Sequence, residues 1–112
     1  MEPRLASSVL VTALLRRAEA EGGFGTVLAK GDSTAGSIAV VLVERGASAR
    51  LLERMLRPDG RYAWSESPKP AEDEAALKAL LERRRRIDPD LWIVELDIAS
   101  SERFAAEMNA LG

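Results

Sequence analysis

Apolar residues recur along this chain with two alternating periods. Val11, Leu14, Leu15 and Ala18 fall at i, i+3, i+4 and i+7, while Arg16, Arg17, Glu19 and Glu21 turn elsewhere. That spacing predicts a helix over 7–21, because it lays one apolar stripe along a 3.6-residue turn. Ser7 or Ser8 is the expected N-cap, and Gly22-Gly23 the expected left-handed stop. The period then shortens. A brief apolar stretch over 24–30 holds Phe24, Thr26, Val27 and Leu28. Gly31-Asp32-Ser33-Thr34-Ala35-Gly36 clusters turn formers and predicts a loop. After it, Ile38-Ala39-Val40-Val41-Leu42-Val43 is continuously apolar and rich in branched residues, as a central strand covered on both faces would be.

A turn at Gly46-Ala47-Ser48 leads to 49–57, where the pattern fits two templates. Leu51, Leu52, Met55 and Leu56 suit a helical stripe, whereas a strand sets Arg50 and Arg54 on the same face as Leu52 and Leu56. Pro58-Asp59-Gly60 favours a hairpin, and Tyr62 and Trp64 alternate with polar neighbours after it. Beyond the linker Ser67-Pro68-Lys69-Pro70, a helix is predicted over 70–87. Pro70 takes its first position, Glu72, Asp73 and Glu74 its first turn, and Arg83 to Arg86 its last. Its buried stripe is Ala76, Leu77, Leu80, Leu81 and Ile87. Over 91–98, Trp92, Val94, Leu96 and Ile98 alternate with Glu95 and Asp97, which predicts a half-buried strand. A last helix over 100–111, capped by Ser100 or Ser101, offers Phe104, Ala105, Met108 and Leu111.

The resulting order is α-β-β-β-β-α-β-α. It predicts an α+β fold with one layer of mostly antiparallel sheet, four or five strands in a meander, and three helices on one face. At 112 residues the chain is expected to form a single domain, 1–112.

Composition narrows the chemistry. Cysteine and histidine are both absent, which removes disulfides, thiol nucleophiles, imidazole catalysis and most transition-metal sites. No metal and no cofactor is therefore expected. The formal charge of −2 is not that of a nucleic-acid binder, although residues 46–70 carry five positive side chains against three negative. The apolar run Val9 to Leu15 ends in Arg16-Arg17, far short of the ~20 residues that span a bilayer. No membrane association and a cytoplasmic location are expected.

Several motifs carry possible chemistry, each with a plainer reading beside it. Gly22-Gly23-Phe24-Gly25 follows a helix instead of opening one, so it reads as a helix stop and not a phosphate loop. Lys30, Asp32, Ser33 and Thr34 place a cation, an acid and two hydroxyls on one loop, a candidate site for a phosphate or small polar ligand; a connecting loop uses the same residues. Arg50, Arg54, Arg57 and Arg61 form the candidate nucleic-acid surface, which needs two strand faces to align. Tyr62 and Trp64 offer a stacking platform or ordinary core aromatics. The successive residues Arg83 to Arg86 point in different directions on a helix and do not make one patch. Asp88, Asp90, Glu95 and Asp97 are carboxylates without the spacing of a calcium loop. No Gly-x-Ser-x-Gly or Ser-x-x-Lys motif is present, so an enzyme using carboxylates and Lys30 has no direct support.

Ala13-Leu14-Leu15-Arg16-Arg17, Gly22-Gly23-Phe24, Lys30-Gly31-Asp32 with Ala35-Gly36, and above all Arg85 to Glu95 with its Asp-Pro-Asp-Leu-Trp run resemble the domain of unknown function 1491 family. These segments span nearly the whole chain. The resemblance implies a small stand-alone cytoplasmic protein of alphaproteobacteria, and no site residue comes with it. The reading is a non-enzymatic binding or interaction module with a protein partner or a second copy as its expected occupant. Nucleic-acid binding and a small enzyme stand as alternatives.

Overall fold

A computed structural model describes residues 6–67 and 74–110. Its elements are α1 (Ser7–Ala20), β1 (Phe24–Ala29), β2 (Ile38–Glu44), β3 (Ala47–Leu56), β4 (Tyr62–Glu66), α2 (Glu74–Ile87), β5 (Trp92–Asp97) and α3 (Ser101–Ala110). The order α-β-β-β-β-α-β-α is the one the pattern predicts. Pro70, Glu72, Asp73 and Leu111 lie outside the described residues.

Of residues 49–57, all but Arg57 belong to a strand, β3. Arg45 and Gly46 both take positive φ, 53° and 80°, which closes β2 onto β3 by a two-residue turn of the mirror-image type. At the other end Gly60 has φ 84°, and the Arg57 N–H donates to the Arg61 carbonyl at 2.8 Å, closing the hairpin to β4. The stop after α1 is a Schellman arrangement. Gly22 has φ 88°, and the N–H groups of Gly23 and Gly22 return to the Ala18 and Glu19 carbonyls.

The strands do not run as a meander. Their order is β1-β5-β2-β3-β4, so β5 is inserted between β1 and β2. It pairs antiparallel with β1 and parallel with β2, while β3 and β4 extend the sheet antiparallel. The two innermost strands are the most apolar: Ile38 to Val43 are all buried, as are Trp92, Ile93, Val94 and Leu96. A strand flanked on both edges and covered on both faces can hold such a run, and an edge strand cannot.

The helices occupy both faces and not one. Ile38, Val40, Leu42, Leu52, Val94 and Leu96 pack with residues of α1 and α3 such as Leu14, Phe104 and Met108. Ala39, Val41, Val43, Leu51 and Ile93 pack with Leu77 and Leu81 of α2 on the opposite side. An unbroken apolar β2 demands cover on both sides, and a parallel β2–β5 pair requires its connection to cross over a face. Ile87, predicted in the buried α2 stripe, is 77% exposed. It lies ten residues past Leu77, a rotation of about 80° off the stripe at 100° per residue.

The loop over 31–36 caps α1 in place of the expected serine. The N-cap position is Ala6, without a side-chain bond. The Ser7 and Ser8 N–H groups donate to the Thr34 and Ser33 carbonyls, and Ser7 Oγ donates to the Gly36 carbonyl at 2.6 Å. A Cβ on Gly36 would stand 2.3 Å from the Asp90 oxygen, and one on Gly31 2.1 Å from the same atom. Gly36→Ala is therefore expected to destabilise the fold by about 1–3 kcal/mol, the usual range for overpacking. Urea unfolding measures this, and a loss below about 0.5 kcal/mol, the scale of an ordinary surface change, would contradict the close approach.

Candidate binding surface

The loop residues are largely occupied by the fold. Asp32 Oδ2 accepts the Thr34 and Ala35 N–H groups at 3.1 and 2.9 Å, an Asx-type turn. Its carbonyl accepts Trp92 Nε1–H at 2.7 Å, and its own N–H donates to the Asp90 carbonyl. The Lys30 side chain is exposed, while its carbonyl accepts Arg85 Nη2–H at 3.0 Å. Ser33 and Thr34 are exposed. The loop thus joins α1, β5 and the end of α2 through its backbone.

The four arginines fall in two places. Arg50 and Arg54 share the sheet face that carries α1 and α3, as a strand requires. Arg50 donates to Ser101 Oγ at 3.1 Å and to Glu66 Oε2 at 2.8 Å. Arg54 is buried, with its guanidinium 4.4 Å from the centre of the Tyr62 ring. Arg57 and Arg61 stand exposed at the β3–β4 turn. Trp64 lies in the core and Tyr62 is half-buried. Along α2, Arg84 pairs with Glu53 of β3 and Arg85 donates to the Pro89 and Lys30 carbonyls, while Arg83 and Arg86 are exposed.

The carboxylates are dispersed as well. Asp88 Oδ1 accepts the Asp90 N–H in the turn before β5. Glu95 and Asp97 sit on the α2 face of β5, opposite Thr26 and Phe24 of β1. Among the described residues no group of three or more acids converges as metal ligands would.

What the geometry does assemble is a groove of about 790 Å³ on the α2 face. α2 covers the middle of the sheet, and the sheet continues past it to β1. The floor is Leu28, Ala29, Val41 and Ile93, and the wall is Leu77 and Leu81 of α2. A register shift between Val27 and Ala29 lets the adjacent Leu28 and Ala29 both line it. The rim is charged with both signs: Lys78, Arg85 and Arg86 beside Glu74, Glu82 and Glu95. Arg85, tied to the Lys30 carbonyl, straps the end of α2 to the exit of β1. On its open side the groove borders β1, whose Phe24, Val27 and Leu28 are 59%, 39% and 53% exposed. In sequence these residues form only a brief apolar stretch. The available signal was that 24–29 contains no charged residue and no proline, the devices that guard an edge.

Fold and surface define a small module with a mixed five-stranded sheet, helices on both faces and an apolar groove at one edge. The chain belongs to the DUF1491 family, described as a protein of unknown function, whose model matches residues 5–106. A crystal structure of a DUF1491 family protein from Caulobacter crescentus CB15 is similar at a TM-score of 0.76 and 41% identity, over 90% of this chain and 94% of that one. An NMR structure of a DUF1491 family protein from the same organism gives 0.78 and 40%, over 92% and 94%. The solution structure of protein Atu0922 from A. tumefaciens gives 0.75 and 31%, over 91% and 92%. Both organisms agree with the alphaproteobacterial origin the resemblance implies. No curated protein matches the chain. Among the described residues no helix is long and apolar enough to cross a membrane.

One charged contact beside Arg50 has a pH signature. Glu44 Oε1 accepts the Ser101 N–H at 2.7 Å at the start of α3. That bond, helped by Ser101 Oγ–H, Arg45 and Arg50 against a smaller desolvation effect, holds the Glu44 carboxyl below its ordinary value. The unfolded chain then binds the proton more tightly than the folded one. The stabilisation is complete above about pH 4.3, the unperturbed value, and is lost as pH falls through the lower folded value. Glu44→Gln, which keeps an acceptor oxygen, is expected to flatten the acid limb of a plot of Tm against pH. An unchanged acid limb would contradict the assignment.

Proposed function

We propose that this protein is a non-enzymatic interaction module of the cytoplasm, whose binding surface is the α2-side groove together with the outer edge of β1. Its expected occupants are an extended apolar segment of a protein partner or of a second copy. The observation that carries this reading is the adjacency of the two features: an apolar floor opens directly beside an edge strand that has no described neighbour on its outer side and three exposed apolar side chains. An extended segment added at such an edge gains main-chain hydrogen bonds from the strand, and alternate side chains enter the groove. The mixed rim charges leave room for selectivity at either end.

The two alternatives find less support. Of the four arginines for a nucleic-acid surface, Arg50 and Arg54 are engaged within the fold, which leaves Arg57 and Arg61 at one turn. For a small enzyme, the Asp32 carboxylate that would work beside Lys30 is committed to backbone N–H groups.

The reading is tested with 1-anilinonaphthalene-8-sulfonate, a probe with an apolar ring system and one anionic group. Wild-type protein is expected to bind it saturably. Leu28→Glu, at an exposed position on the groove floor, is expected to weaken binding roughly tenfold, the equivalent of ~1.4 kcal/mol, with an unchanged circular dichroism spectrum. Absence of saturable binding, or equal binding by the variant, would overturn the reading.

A further inference from the structure

We infer that the segment added to β1 is β1 of a second copy of this chain, paired antiparallel about a two-fold axis at Thr26. The two five-stranded sheets then become one continuous sheet. This inference rests on β1 being part of the binding surface and commits that surface to one occupant.

The two edges of the sheet differ. β4 is five residues long, its Trp64 is buried, and its Glu66 is engaged by Arg50. β1 has no described neighbour on its outer side, no charged side chain and no proline. Its unpaired N–H and C=O groups are a template for another strand.

The register argues for self-pairing. Directly opposed residues of an antiparallel pair share a sheet face. About Thr26, Phe24 therefore lies opposite the partner's Leu28, and Leu28 opposite the partner's Phe24. The two most exposed large apolar side chains of the strand meet each other twice on the α2 face. On the other face Gly25, with Leu15 lying where a Cβ would stand, opposes the partner's Val27. Thr26 opposes itself at the centre. Aromatic–aliphatic and Thr–Thr pairs are favourable cross-strand neighbours. A register centred on Val27 would set Phe24 against the partner's Lys30, and one centred on Gly25 would leave Leu28 against the partner's Gly22; of the three, only the Thr26 register sets both Phe24 and Leu28 against large apolar side chains of the partner.

The charges agree with this register. β1 itself is neutral, so no like charges are opposed along it. Lys30 follows the strand and Glu21 precedes it, and about Thr26 each Lys30 falls within one residue of the partner's Glu21. The arrangement is isologous, so it closes as a dimer and does not propagate. It also joins each groove to the partner's Phe24.

Sedimentation velocity over a concentration series tests the inference with the wild type, Thr26→Lys, Thr26→Glu and an equimolar mixture of the two variants. Thr26 is exposed, so both variants are expected to keep the wild-type circular dichroism spectrum. The wild type is expected to dimerise. Each variant alone, with like charges opposed at the axis, is expected to dimerise more than roughly tenfold more weakly, and the mixture to recover the dimer. A wild type that stays monomeric, variants that dimerise as it does, or a mixture that fails to recover would each overturn the inference. Dye binding that Leu28→Glu abolishes would leave the groove reading standing in those cases, so the two failures are separable.

Discussion

β5 lies in parallel register beside β2, from Trp92 against Ile38 to Asp97 against Val43, and most of the architecture follows from that pairing. The Trp92 N–H donates to the Ser37 carbonyl where the pair begins, and the Ile98 N–H to the Val43 carbonyl where it ends. Parallel neighbours cannot be joined by a tight turn. The chain leaves β2 through the β3–β4 hairpin, passes over one face as α2 and returns as β5. With β5 in place, β1 is pushed to the edge, α1 and α3 share one face, and among the described residues α2 is the helix that covers the other. A single helix is about 10 Å across with its side chains and does not cover five strands that span about 19 Å at about 4.8 Å spacing. The strip of sheet left beyond it is the groove.

The same pairing explains why the loop before β2 is built as it is. Gly31 and Gly36 let the loop touch the Asp90 carbonyl, and Trp92 Nε1–H reaches the Asp32 carbonyl. The loop sets the entry of β2 and β5 and at once caps α1 with its Ser33 and Thr34 carbonyls. Its polar groups satisfy backbone partners that would otherwise be buried without them, a demand every fold must meet. Of the polar side chains there, Asp32 is spent on the turn, while those of Lys30, Ser33 and Thr34 are exposed.

How much of this was legible in sequence follows the range of the interactions involved. α1, β2 and β5 announce themselves because Val11, Leu14 and Ala18, or Trp92, Val94 and Leu96, repeat within a few residues. The hairpin at Pro58-Asp59-Gly60 is equally local. β3 was ambiguous because Arg50 and Arg54 take inward positions, satisfied by Ser101 and Glu66 and by the Tyr62 ring, partners distant in sequence or across a strand. Strand order was illegible because nothing in 91–98 names β2 rather than β4 as its neighbour. The helices were assigned to one face although Ile38 to Val43 already implied cover on two. The groove was invisible for the same reason, since Leu28, Leu77 and Ile93 converge only once β5 has chosen its place.

The account therefore places recognition at the β1 edge and the strip of sheet beside α2. Hydrogen exchange of the wild-type protein, followed amide by amide as concentration rises, addresses that claim most directly. The outward-pointing amides of β1 should exchange fast in dilute solution and become protected as the chains associate, while the outer amides of β4 stay fast at every concentration. Exchange at β1 that ignores concentration, or protection that rises at β4 instead, would contradict the account.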